Sequence, residues 1–228
     1  MSFEELLEQM SEGVNDPAIF KAVFLAGGPG SGKSWVTRGT TGGLGFKVLN
    51  SDSDFERMMK DAKLSLDMTK LSPEELDQKD DIRGHAKDLA AKRWDLTSSL
   101  GLGLVIDGTG RDRDNITQQR KYLEALGYDT LMIFVNTSLE VALQRNKSRE
   151  RKVPEDLVKK FWMAVQQNMG YYQKEFGSQN FIIIDNNDAT EDVLAKSWVK
   201  IMKYSKRPIR NHIGLKWIAY EKARRGIK

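Results

Sequence analysis

Phe24-Leu-Ala-Gly-Gly-Pro-Gly-Ser-Gly-Lys-Ser34 joins an apolar run to a glycine-rich loop that ends in Lys-Ser. Counted from Gly27, the spacing is G-x-x-x-x-G-K-[ST], the Walker A or P-loop pattern, closed by Gly32, Lys33 and Ser34. A phosphate chain needs several backbone N–H groups aimed at it from close range, and positions without a side chain, Gly28, Gly30 and Gly32, permit that approach. The pattern therefore predicts a nucleotide-phosphate cradle over Gly28, Pro29, Gly30, Ser31, Gly32, Lys33, Ser34 and Trp35. Within it Lys33 reaches the outer phosphates, the Ser34 hydroxyl ligates Mg²⁺, and a helix starting near Lys33 adds its positive end.

Outward from the loop, apolar runs alternate with helical patterns. Strands are expected at 22–26, 46–49, 102–107, 130–135 and 181–185, the first fully apolar and hence buried on both faces. The helix after the loop is expected to stop at Gly39 and the Gly42-Gly43 pair, and further helices to run over 54–63, 115–126 and 190–203. Val193, Leu194, Trp198 and Ile201 should face inward on the last of these. Ser72-Pro73-Glu-Glu75 reads as a cap, an N1 proline and an N3 acid opening a long polar helix to about Leu100, and Thr137 with Glu140 as the cap of the helix that carries Arg145 and Arg149. Val153-Pro154 breaks that helix, as a hinged lid would require, before another runs to about Lys174. The fold class that follows is α/β: a three-layer P-loop NTPase fold with a five-stranded parallel sheet, a helical lid and a basic tail.

Composition narrows the classes. A chain of 228 residues suits one such domain, here 19–205, preceded by an N-terminal packing helix within 1–18 and followed by a tail, 206–228. There is no cysteine, which excludes disulfides and thiolate metal sites, and no apolar run approaches a membrane span, so a cytoplasmic protein with no membrane partner is expected. From Lys203 to Lys228 nine Lys/Arg stand against Glu221 alone, a local charge of +8 in a chain whose total is +4, leaving −4 for the remainder. Clustered cations of this kind attract polyanions, nucleic acid among them.

Three clusters fall at strand ends, where open parallel sheets bind ligands. Asp52, with Asp54 two residues on, is placed to orient an acceptor hydroxyl and take its proton. Asp107 ends an apolar strand as a Walker B acid does, placing it for Mg²⁺, while Gly108, Thr109 and Arg111 behind it can receive an acceptor and hold an anionic group on it. Arg145 and Arg149, four apart, present two guanidinium forks from one helix face to a triphosphate and its transferring group. His85 and His212 lack partners at metal spacing; Trp94, Trp162 and Trp198 read as packing residues, and Asn186-Asn187 as a turn.

With these residues placed, positions 20–190 resemble the P-loop small-molecule kinases, in the group that holds the zeta toxins and the polynucleotide 5′-kinase domains. Asn50-Ser-Asp52 and Arg145-Asn-x-x-Arg149 followed by Val153-Pro154 are similar to the polynucleotide kinases, and the resemblance implies that Asp52 orients the attacking hydroxyl and the two arginines hold the donor phosphates. Val105 to Arg111 looks more like the zeta toxins, which phosphorylate a nucleotide-activated sugar. Residues 206–228 match neither. The expectation is an ATP- and Mg²⁺-dependent kinase acting on a hydroxyl of a nucleotide-containing acceptor, with the basic tail inclining it to a polynucleotide 5′-end and a nucleotide sugar or free nucleoside as the alternative. A GTP switch would need Asn-Lys-x-Asp, and the one Asn-Lys pair, Asn146-Lys147, runs into Ser148-Arg149. A non-catalytic ATP-binding interaction protein is the third reading, disfavoured by the intact lysine, serine and aspartates.

Overall fold

The computed structural model describes residues 14–16, 18–41, 44–188 and 190–227; the expected helix over 2–12 lies outside them. Five strands, β1 (Lys21–Ala26), β2 (Lys47–Leu49), β3 (Leu104–Asp107), β4 (Asp129–Asn136) and β5 (Phe181–Asp185), form one all-parallel sheet in the order β2-β3-β1-β4-β5. Period-2 alternation sends Ala22, Phe24, Met132 and Phe134 to one face and Val23, Leu25, Leu131 and Ile133 to the other. Because both faces are buried, β1 and β4 must be apolar almost throughout, as their sequences are.

Eight α-helices lie among the described residues: α1 (Lys33–Thr41), α2 (Asp52–Asp61), α3 (Pro73–Ser99), α4 (Arg113–Leu126), α5 (Leu139–Ser148), α6 (Glu155–Phe176), α7 (Glu191–Ser205) and α8 (His212–Arg224). One face of the sheet is covered by Val36 of α1 and Ile201 and Tyr204 of α7. The other is covered by Ile116 and Leu123 of α4 and by Val165, Tyr172 and Phe176 of α6. A satellite core of Phe55, Met59 and Ala86 joins α2 to α3 beside the sheet. The Ser72–Glu75 capping box is formed reciprocally, and Gly127, at φ 110°, ends α4 in the left-handed region.

Several local expectations are corrected. Helix α1 passes through Gly39 to Thr41, since a single glycine lowers helix stability by roughly 1 kcal/mol and α1 is held against α7. The cap of α5 is Ser138, whose hydroxyl accepts from the Val141 amide, while Thr137 is buried one residue earlier. The inward stripe of α7 is Val193, Ser197, Ile201 and Tyr204; Trp198, one position off it, is 37% exposed. Apart from these corrections, the basic segment folds back onto the body. Trp217 of α8 meets the Phe20 ring edge-on at 5.3 Å, and the Arg210 and Asn211 amides donate to the Asp129 carboxylate. That carboxylate also pairs with Lys21 at 2.9 Å, a lysine only 1% exposed. These contacts lie at the amino ends of β1 and β4, the end of the sheet opposite the glycine-rich loop. Arg224 and Arg225 are both engaged by Glu221 of their own helix.

Candidate active site

The glycine-rich loop leaves β1 at the carboxyl edge of the sheet, where the chain crosses from the β3 side of β1 to the β4 side. Gly30 (φ 78°) and Gly32 (φ 83°) adopt left-handed conformations that turn successive amides inward. Gly32 has a second reason to be glycine: a Cβ there would lie 2.3 Å from the Asn186 amide nitrogen. Asn186, 1% exposed, reaches from the end of β5 and donates to the Ser31 carbonyl at 2.7 Å, bracing the loop from behind. Trp162 of α6 lies against Gly28 and donates to the Thr137 carbonyl. The two residues set down from sequence as a turn and as packing thus shape the phosphate cradle. Neither carries a local signal, because each acts on the loop from more than a hundred residues away.

Lys33 opens α1 and folds its ammonium onto the Gly27 carbonyl at 2.5 Å and the Gly28 carbonyl at 3.4 Å. Burial pushes its pKa below the usual lysine range against the pull of Asp107 and Asp52. Ser34 is exposed at the start of the same helix, and Pro29 is half-buried in the loop. Trp35, expected among the cradle residues, packs instead against the α1-side core.

Across the loop, Asp107 ends β3 in register with Leu25 of β1. Its carboxylate accepts from Asn50 at 2.6 Å, and the Asn50 side-chain oxygen accepts from the Asp52 amide, so β2 and β3 present their acids as one unit. Burial raises the Asp107 pKa; Lys33 draws it down and Asp52 pushes it up. For Asp52 burial acts upward too, but Arg151 and Arg83 together outweigh it and hold the carboxyl below the ordinary range. Arg83 of α3 contacts it at 2.7 Å and Arg151 at 3.3 Å, both guanidinium groups lying over the Phe55 ring. Asp54 points elsewhere: Arg93 and Arg57 hold it as a link between α2 and α3.

Arg145 donates to the Asn187 carbonyl at 2.9 Å and stands at 3.5 Å from the Gly30 carbonyl, on the rim of the cradle. Arg149 differs from expectation. Helix α5 ends at Ser148, and Arg149 is extended (φ −88°, ψ 158°), so a shared helical face does not bring the two together. Asn146, 3% exposed, fixes Arg149 instead: it accepts from Arg149 and clasps Val153 through both backbone groups, closing the lid turn on itself. The Nε atoms of Arg149 and Arg151 are buried without a hydrogen-bond partner. The orphaned donor of Arg149, whose charge is felt at Lys33, fits an anionic ligand, while Arg151 is held by Asp52 and Glu56.

Beyond Asp107 the segment Gly108–Arg111 is fixed by α6, with Tyr172 and Asn168 donating to the Gly110 carbonyl, both at 2.9 Å. Arg111 donates to Thr109 and covers the Phe161 ring at 3.8 Å. Asn50, Asp107, Gly108, Thr109 and Arg111 line the mouth of a cleft of about 800 Å³ that descends between α3 and α4. Among the described residues no helix is long and apolar enough to cross a membrane, and no group of three or more His, Cys, Asp or Glu side chains is gathered as a metal cage.

No curated protein matches the chain in sequence. Solved structures do match it in shape. A gluconokinase from Sinorhizobium meliloti 1021 has a TM-score of 0.52 at 13% identity, over 82% of this chain and 95% of its own. A chain of the PezAT chromosomal toxin-antitoxin system of Streptococcus pneumoniae has 0.53 at 14%, over 99% and 96%. The AvrRxo1-ORF1:-ORF2 structure with ATP has 0.57 at 16%, over 82% and 63%. At such identities the likeness is one of fold, and the fold is the P-loop architecture that these proteins share. A family model described as an AAA domain matches residues 23–171, from β1 and the glycine-rich loop into α6, and covers more than half the chain. The chain therefore belongs to the AAA domain family.

Proposed function

We propose that the protein is an ATP-dependent phosphotransferase that moves the γ-phosphoryl group to a hydroxyl of a nucleotide-containing acceptor, in the manner of the zeta toxins and polynucleotide 5′-kinases it resembles. The observation that carries this reading is the convergence, at one sheet edge, of a phosphate cradle, the half-buried Lys33, two strand-end carboxylates and the lid arginines. The kinase named among the structural neighbours agrees with it. The basic segment gives no support to a polynucleotide acceptor in particular, because it is packed at the far end of the sheet.

In the reaction the cradle amides and Lys33 hold the β- and γ-phosphates, Lys33 giving up its loop carbonyls to do so. Arg145 and Arg149 close over the transferring group and match the charge that moves toward the bridging oxygen. Asp52 orients the acceptor hydroxyl; as the new O–P bond forms and the γ-phosphorus to bridging-oxygen bond breaks, the hydroxyl proton passes to Asp52 and ADP leaves with the bonding pair. A low pKa makes Asp52 a weak base, which suits a loose transition state in which positioning outweighs proton abstraction. The residues present fit Mg²⁺: Asp107 and the Ser34 hydroxyl are one carboxylate and one neutral oxygen, the small protein share that Mg²⁺ takes beside phosphates and water. Bound there, it would neutralise charge on the phosphates. The test is transfer from γ-labelled ATP to nucleosides, nucleotide sugars and 5′-hydroxyl oligonucleotides. Label in one of these that disappears in Lys33→Ala while the variant stays folded is expected; no label in any of them, or undiminished transfer in Lys33→Ala, rejects the reading.

A further inference from the structure

The cleft behind Asp107 is built from two matched helix faces. Helix α3 contributes Lys87, Ala90, Ala91 and Trp94; α4 contributes Asn115, Gln118, Gln119 and Tyr122. Each set has the spacing i, i+3, i+4, i+7, so each is one continuous stripe. Both helices run from the carboxyl toward the amino end of the sheet, which puts Lys87 and Asn115 at the mouth and Trp94 and Tyr122 at the far end, about 10 Å deeper at about 1.5 Å per residue. There the two rings meet at 6.2 Å and 32° and close the bottom. Trp94 leans on the core, yet Tyr122 stays 46% exposed, which leaves aromatic surface facing the cleft. Between mouth and floor, Ala90 and Ala91 hold one wall back. On the opposite wall the carboxamides of Asn115, Gln118 and Gln119 make no hydrogen bond within the described residues. Each offers a donor and an acceptor of neutral charge. Lys87 is likewise unpaired, and with Arg111 it supplies the cations of a rim that also carries Asp107 and Asp112.

An aromatic floor and a wall of unengaged amides are complementary to a planar heterocycle that carries hydrogen-bonding edges, and Lys87 and Arg111 stand at the rim where an anionic group on it would lie. We infer that this cleft binds the acceptor as a nucleoside phosphate, its base on the Trp94–Tyr122 floor, its edge read by Gln118 and Gln119, and its phosphate beside Lys87 and Arg111. The reacting hydroxyl then sits at the mouth, where Ser51 leads directly into Asp52. This assignment rests on the phosphotransferase reading for the identity of the ligand as acceptor, and its recognition chemistry can be measured without turnover.

The experiment is calorimetric titration of the whole protein, its donor site saturated with a non-hydrolysable ATP analogue, with adenosine and uridine 3′-monophosphates, a 5′-hydroxyl dinucleotide, a uridine diphosphate sugar and base-free ribose 5-phosphate. At least one base-bearing probe should bind roughly tenfold or more tightly than ribose 5-phosphate, and the tightest identifies a free nucleotide, a strand end or a nucleotide sugar as the source. Tyr122→Ala, a half-exposed position whose truncation spares the core, should weaken that probe roughly tenfold and leave ribose 5-phosphate unchanged; Gln119→Ala should shift the preference among bases. Ribose 5-phosphate binding as tightly as every nucleotide, or unchanged nucleotide binding in both variants, overturns the inference. Phosphorylation of a ring-free polyol at the same rate in wild type and Tyr122→Ala overturns it while sparing the phosphotransferase reading. Nucleotide binding lost in Tyr122→Ala, with ATP affinity indifferent to Lys33→Ala, upholds base recognition and rejects the phosphotransferase reading.

Discussion

Asp107 and Asp52 share a site and respond to it in opposite senses. The folded protein raises the Asp107 pKa chiefly by burial, so the stability tied to that group is complete below the unfolded carboxylate value of about 4 and is lost as pH climbs through the raised folded value. At neutral pH its buried charge is a cost. Asp107→Asn should therefore melt no lower than wild type at pH 7 and lose that advantage as pH falls toward 4, while phosphoryl transfer drops steeply. Asp52, held low by Arg151 and Arg83, contributes stability above the ordinary carboxylate range that is lost as pH falls through its lowered value. Asp52→Asn should melt lower than wild type at pH 7, and its turnover should fall far more than its ATP affinity. Thermal melts of both variants from pH 4 to 8 check the pair, and the same direction of change in both at pH 7 would contradict this electrostatic account. Asp107 and Asp52 were recognisable from their places at strand ends. Arg83 and Arg151, which set the Asp52 charge state, were not, because a polar helix and a charged turn give no sign of which carboxylate each will meet.

At the scale of elements, the lid turn between α5 and α6 acts as one body. Asn146 ties its two ends, and Arg151, Glu150 and Lys152 fasten it to Asp52 and Glu56, to Lys60 and to Asp67. Arg145→Ala and Arg149→Ala should each reduce turnover by roughly 10² through lost transition-state contacts, measured at saturating ATP. Asn146→Ala should reduce it too, though the side chain need touch no substrate, because it frees Arg149; unchanged turnover would show that the turn holds its shape without the clasp. At the start of α3, Ser72→Ala removes one half of a formed capping box and should lower unfolding free energy by about 1 kcal/mol in urea titration, with activity kept.

For the molecule as a whole, the question is what the basic C-terminal segment does. Trp217, Ile209 and Ile218 pack on the core under Phe20, and Asp129 binds three partners at once: buried Lys21, the Arg210 amide and the Asn211 amide. Asp129→Ala would leave Lys21 buried and uncompensated, a loss of about 3–5 kcal/mol by comparison with other broken buried pairs. Removal of residues 206–228 should destabilise the domain at every salt concentration, whereas loss of a polyanion-binding arm alone would leave urea unfolding unchanged. Charge reversal at Arg224 and Arg225 also perturbs the Glu221 cluster, so reversal at exposed Lys216 tests nucleic-acid attraction more cleanly.

What the chain determined by itself is what lies within a few residues of each position. Gly27 to Ser34 specify the phosphate loop, the apolar runs specify buried parallel strands, and Ser72 to Glu75 and Gly127 specify where helices start and stop, because φ preference, side-chain period and capping are local. What tertiary structure decided is which distant groups meet. Strand order set Asp107 beside β1 and Asn50 beside Asp107; packing of α3 brought Arg83 to Asp52 and left the cleft open over Ala90 and Ala91; the end of β5 brought Asn186 to the loop. Nine cations between Lys203 and Lys228 suggested a polyanion-binding tail, and three apolar side chains with one half-buried aspartate made it part of the body, since burial of Trp217 and satisfaction of Asp129 outweigh the solvation of surface lysines.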